Sequence, residues 1–283
     1  MAASVESDLP QTPVVCLAFG EFMSDTRLQR QRFEKKYRIS EDLALAVRPF
    51  IRSYLELDEH GGTGPNGSYP VHSLYFDSDQ LATYWMTVNG AKNRFKLRLR
   101  FYNDQPDSPV FFEIKRRINK CILKRRGAVR KAGVPWILAG HLPTDDEMFF
   151  HEPEQLGAVM SFCELMQDLG ARPKLHVTYL REAWIHPAHD RVRVTFDRDV
   201  RGERDTTTRF STLTSHPVRP FGDEVILELK YTDRCPDWLR EMVERFELIQ
   251  CSAAKYCECI DALADRGDRF NASTHQLFNA SPF

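Results

Sequence analysis

Between Asn93 and Tyr102 the sequence reads NRFKLRLRFY. In an extended chain this alternation sets Arg94, Lys96, Arg98 and Arg100 on one side and Phe95, Leu97, Leu99 and Phe101 on the other. A few residues on, VFFEIKRR brings Glu113, Lys115 and Arg117 to one side in the same way. Arginine offers a planar fork that matches phosphate oxygens, and lysine a compact point charge. A row of both suits an extended polyanion. Carboxylates among them are wrong for phosphate itself, but they suit hard divalent cations that bridge carboxylate and phosphate oxygens.

The same pattern recurs elsewhere. Arg32, Glu34, Lys36 and Arg38 alternate with Phe33, Tyr37 and Ile39, Lys35 being the exception. Tyr179 and Arg181 share a face, as do Arg191, Arg193, Thr195 and Asp197, and again Glu228 and Lys230. Charge is also unevenly spread along the chain. Residues 89–131 hold 14 Lys and Arg against 3 Asp and Glu, a local +11 in a chain whose formal net charge is −1. Such a segment serves a polyanion or forms a solvated face.

Strands must carry most of these residues. The segments 30–39, 71–76, 93–102, 110–117, 174–184, 191–200 and 224–231 have strand character, with an antiparallel hairpin turning at Asp104 to Pro109. Lys124, Arg125, Arg126, Arg130 and Lys131 read as part strand, part loop. Helices are expected over 41–57, N-capped by Ser40, and over 152–169, 237–248 and 253–266. Gly62, Gly64 and Gly67 match GxGxxG in spacing alone, because a strand follows where a dinucleotide fingerprint needs a helix.

One cationic strand face pointing to solvent is ordinary in a half-exposed sheet. Five such faces are not, because neighbouring like charges repel. The pattern predicts an α+β fold: an antiparallel barrel with the charged faces turned inward around an anion, and helices packed on the apolar outside. Phe95, Phe101 and Phe111 are assigned to that outer wall, which leaves no aromatics interleaved with the cations for nucleic-acid stacking.

The ordered set Glu34-Lys35-Lys36-Tyr37, SLYFD at 73–77, KLRLR at 96–100, FEIK at 112–115, Tyr179-x-Arg181, LELK at 227–230 and Ala254-Lys255-Tyr256 resembles the VTC domain. This is the polyphosphate polymerase branch of the triphosphate tunnel metalloenzymes, also called CYTH-like. The resemblance covers residues 30–264 or so, and is to the compact bacterial kind without SPX or membrane segments. It implies an eight-stranded tunnel in which the γ-phosphate of ATP is added to a growing polyphosphate, with Mg2+ or Mn2+. By position it implies that Lys36, Arg98, Arg100, Lys115 and Arg181 act at the reacting phosphates. Lys96, Arg117, Tyr179, Arg193, Lys230 and Lys255 would bind phosphate or nucleotide, with Lys255 capping one tunnel end, and Glu228, Glu34 and Glu113 would hold metal. The family's late motif reads Ser-Lys-Tyr, and Ala254 stands here in place of the serine.

Residues 1–29 and 267–283 read as tails around a domain at 30–266, and Val14 to Phe19 is too short and interrupted for a secretory signal. No run of 18 apolar residues suggests a membrane span. Seven cysteines without a CxxC pair suggest reduced thiols in the cytoplasm, and the nine histidines show no ligand spacing. Asp77 and Asp79 read as turn residues after a strand. A triphosphate hydrolase, a polyphosphate-binding module without turnover, and a nucleic-acid binder stand as alternatives, the last the weakest.

Overall fold

The computed structural model describes residues 32–61, 64–119 and 121–270. The expected tail at 1–29 lies outside them, and so does the expected tail at 267–283 from residue 271 on; Phe270, within that expected tail, is buried in an apolar cluster. One antiparallel sheet dominates, in the order β1-β9-β8-β7-β3-β4-β5-β6. Its strands are β1 (Arg32–Ile39), β3 (Tyr69–Asp77), β4 (Asn93–Phe101), β5 (Pro109–Ile118), β6 (Cys121–Arg130), β7 (Arg172–His186), β8 (His189–Arg204) and β9 (Val225–Thr232). A two-residue β2 (Glu56–Leu57) pairs with β7 off this path.

Alternation in sequence becomes two faces in space. Leu97, Leu99, Phe101, Phe112 and Ile114 pack against helices α3 (Val134–Leu138) and α4 (Pro153–Leu169) through Ile137, Val159 and Phe162. Tyr37, Val194, Phe196, Leu227 and Leu229 pack against α1 (Glu41–Arg52) and α5 (Asp237–Arg245) through Val47, Ile51, Leu239 and Met242. Ser40 caps α1 as expected, its Oγ accepting from the Leu43 amide at 3.2 Å.

The sheet curls strongly. Lys115 on β5 reaches Glu34 on β1 at 2.9 Å, although the two strands stand near opposite ends of the strand order. The expected closed barrel is corrected here: β1 and β6 approach one another but share no ladder, so the sheet remains open between them.

Other expectations also change. The first helix stops at Arg52, and the chain turns into β2, so 41–57 was too long. The basic segment 121–130 is strand throughout, pairing with β5 from Cys121 to Arg130. A short helix α2 (Ala82–Val88) had no sequence signal, because its N-cap, Leu81, has left-handed φ of 56° and no capping side chain. The helices do not all lie outside: α2 and α6 (Lys255–Asp265) share an apolar cluster with Tyr75, Tyr179 and Ala183 from the charged face. Phe111 is not outer wall either. It is paired across from Arg100, and directly opposite residues share a face, so it stands on the charged side.

Candidate phosphate-binding channel

Two charge clusters line the concave face. In the first, Glu113 is completely buried on β5, with Arg98 Nη2 at 2.6 Å, Lys124 Nζ at 2.5 Å and Arg100 Nη1 at 3.8 Å. Burial alone would raise the Glu113 carboxyl, but Arg100, Arg98 and Lys124 hold it well below the usual carboxylate range. Arg98 also donates to the Tyr75 hydroxyl at 3.1 Å, and Arg100 donates to the Tyr179 hydroxyl at 3.1 Å.

In the second, Lys36 Nζ stands between Glu34 (3.3 Å) and Glu228 (3.2 Å). Glu228 also takes Lys230 at 2.7 Å, Lys255 at 3.5 Å and Arg181 at 3.7 Å. Arg181 makes a two-pronged pair with Asp197, both prongs at 2.7 Å, and Lys255 meets the same carboxylate at 2.7 Å. Lys255 opens α6, so the position of that helix sets how far the ammonium reaches into the channel.

Cations prevail in this space. Lys36, Lys96, Arg98, Arg100, Lys115, Lys124, Arg181, Lys230 and Lys255 face four carboxylates: Glu34, Glu113, Asp197 and Glu228. Lys96 has no carboxylate among the described residues. Its Nζ lies 3.5 Å from Cys257 Sγ and 5.2 Å from the Tyr256 ring centre, and burial lowers its pKa. Burial would raise the Tyr75 phenol, yet Arg98 and Lys96 bring it below its ordinary value. Burial pushes Lys230 down to about 8 against the pull of Glu228 and Glu34. The interior field is therefore positive, and a polyanion would complete it.

Two expected residues, Arg193 and Arg117, stand at the margins. Arg193 donates to Asp58 at 2.6 Å and to the Tyr69 hydroxyl at 3.4 Å, and its buried Nε has no partner among the described residues. Arg117 donates to the Asn119 carbonyl at 2.9 Å beside Arg94. Arg38, which shares a strand face with Lys36, pairs instead with exposed Glu224.

Lys124, Asp197 and Tyr75 were not picked out from sequence. The Arg193-Thr195-Asp197 alternation already placed Asp197 on the right face, and an unbroken strand over 121–130 would have placed Lys124 there. Asp77 plays the turn role expected of it. It is fully buried at the start of α2 and accepts from the Ser78, Thr83 and Tyr84 amides, the Thr83 hydroxyl and the Tyr256 hydroxyl. Asp79 pairs with Lys174.

The sequence profile of the VTC domain matches residues 31–264, and the chain belongs to that family. It is thus a member of the triphosphate tunnel group. No curated protein matches the sequence. Among solved structures, a candidate adenylate cyclase from Bacillus halodurans aligns with TM-score 0.44 and 14% identity, over 79% of this chain and 94% of that one. The PH1819 protein of Pyrococcus horikoshii OT3 aligns with TM-score 0.37 and 15% identity, over 84% and 99%.

The family implies a divalent cation. Among the described residues no three Asp, Glu, His or Cys side chains gather closely enough to hold a metal by themselves. A Mg2+-type ion needs less, since one or two carboxylates and the substrate's own phosphates suffice. Glu228 and Glu34 meet that requirement, converging on Lys36. Beside Glu228 on the ladder, the fully buried Thr195 hydroxyl has no hydrogen-bond partner among the described residues. Glu113 belongs to the other cluster, enclosed by Arg98, Arg100 and Lys124.

Proposed function

We propose that this chain is a polyphosphate polymerase of the cytoplasm, transferring the γ-phosphate of ATP to the end of an inorganic polyphosphate chain. The observation that carries the reading is the cation surplus of the curled sheet, above all Lys96, Arg98 and Arg100 in one row on β4. In the transfer, a terminal phosphate oxygen of the chain forms a bond to the γ-phosphorus. The β–γ bridging P–O bond breaks, and ADP leaves with the electron pair. Phosphoryl transfer of this kind rests on positioning and charge neutralisation more than on covalent help from the protein. Arg98 and Arg100 hold equatorial oxygens. Lys36, Lys115, Arg181, Lys230 and Lys255 exchange carboxylate partners for phosphate oxygens, and Tyr179 orients Arg100. Mn2+ or Mg2+, held by Glu228 with Glu34, would neutralise charge on the transferred group.

The test is incubation of purified protein with ATP and Mn2+, followed by electrophoresis stained for polyphosphate. The expected result is a ladder of long chains. Arg98→Ala should lower kcat/KM by about two orders of magnitude, equivalent to about 3 kcal/mol. Glu228→Gln should abolish the metal dependence. Orthophosphate without chains would make the protein a hydrolase, and tight triphosphate binding without turnover would make it a binding module.

A further inference from the structure

The charged face ends in rings at one side. Along β5 the inward positions run 117, 115, 113 and 111, and the last is Phe111 where the alternation calls for another polar residue. Phe111 belongs to none of the three apolar cores. It is half-buried, with Tyr102 edge-on at 6.0 Å and the Arg126 guanidinium 4.9 Å over its ring. Tyr102 in turn lies 6.2 Å from Tyr69, whose hydroxyl accepts from Arg193. These rings sit beside Arg100, at the end of the cation row.

The other side of the channel is differently built. There α6 lies across the face, with Tyr256 stacked on Tyr75 at 4.9 Å and fixed by Asp77, and with Lys255 driven into the carboxylates. The two ends differ in exposure: Phe111 and Tyr102 are half-exposed, whereas Tyr256 and Cys257 at the α6 end are buried. Half-exposed rings flanked by guanidinium groups form a stacking platform for a planar heterocycle, sequence-tolerant because every base presents a π-face.

We infer that Phe111, Tyr102 and Arg126 form a subsite for the base of a nucleoside triphosphate, whose phosphates then run past Arg100 and Arg98 toward α6. This assignment rests on the reading of the channel as a phosphate site. It fixes the direction in which the donor nucleotide enters and makes the nucleoside, not the triphosphate alone, part of what is recognised.

The experiment measures binding of ATP and of inorganic tripolyphosphate by calorimetry, for the wild-type protein, Phe111→Ala, Tyr102→Ala and Phe111→Tyr. Each alanine variant is expected to weaken ATP about tenfold, the effect of one lost stacking ring, and to leave tripolyphosphate unchanged. Phe111→Tyr keeps the ring and should keep ATP affinity. Equal weakening of both ligands would mean that the rings support the fold, and no change in either would mean that the base lies elsewhere. Both results overturn the subsite while leaving the phosphate channel standing. Failure of the wild-type protein to bind tripolyphosphate is the separate result that would overturn the channel itself.

Discussion

Lys230 shows how one side chain can be poised by the channel. With a pKa brought to about 8 by burial, it is mostly charged at neutral pH and loses its proton just above. A bound polyanion favours the charged form, so binding raises this pKa and takes up a proton near pH 8 to 9. Triphosphate affinity should therefore fall as pH rises, by up to about tenfold for each unit above 8. Stability of the free protein carries the opposite sign. Between about 8 and 10.5 the unfolded chain holds the Lys230 proton and the fold does not, so this residue stabilises the fold as pH rises through that window. Calorimetric Kd values at pH 7.5 and 9 check the first point, with Lys230→Arg expected to flatten the profile. A slope that survives the substitution would assign the titration to another group. The carboxylates behave differently. Glu113 and Glu228 are held far below their ordinary pKa, so their contribution is complete above about 4.5 and is lost only as pH falls well below that.

Elements hold these side chains through a few close approaches. At Gly127 on β6 an added Cβ would stand 2.2 Å from the Gln155 carbonyl oxygen and 2.6 Å from Val159 Cγ2, both on α4. The glycine lets the helix sit directly on the strand that carries Lys124, and the Gln155 side chain accepts from the next amide, Ala128, at 3.0 Å. Gly127→Ala must push α4 outward, and overpacking of this kind costs about 1–3 kcal/mol. Chemical denaturation should register the loss, and an unchanged midpoint would show that α4 yields freely. Strand periodicity made β1, β4, β5, β8 and β9 legible in the sequence, because charged and apolar residues alternate over most of each, with few breaks such as Lys35 in β1. α2 escaped because Leu81 at its N-cap position offers no capping side chain; buried Asp77 accepts from its first turn instead, from a position six and seven residues before the Thr83 and Tyr84 amides. β6 was half missed because Lys124, Arg125 and Arg126 run together and mask the period of two. Phe111 was misplaced because residue type was read ahead of position. Its parity with Glu113 was already in the sequence.

On the scale of the whole molecule, what the sequence could not convey is closure. Faces follow from alternation, but whether the first and last strands of a curled sheet pair depends on accumulated twist and on charges meeting at the seam. Here Lys115 and Glu34 meet side chain to side chain while β1 and β6 make no ladder. Across the open seam the Glu34–Lys115 ion pair links β1 to β5, in a space with excess positive charge. A polyphosphate binding to Lys36 on one edge and to Lys115 and Lys124 on the other would tie them together. At a concentration of 100 times Kd, tripolyphosphate should stabilise the fold by about 2.7 kcal/mol. That corresponds to a rise in Tm of roughly 5–10 °C for a chain of this size. The gain should also be localised. In hydrogen exchange, amides of β1 and β6 should slow more than those of β3 and β7, which are paired on both sides without ligand. Uniform protection along the sheet would mean that the anion rests on the middle strands and that the seam plays no part in holding it. Protection concentrated at the two edges would make the polyanion the element that completes the barrel.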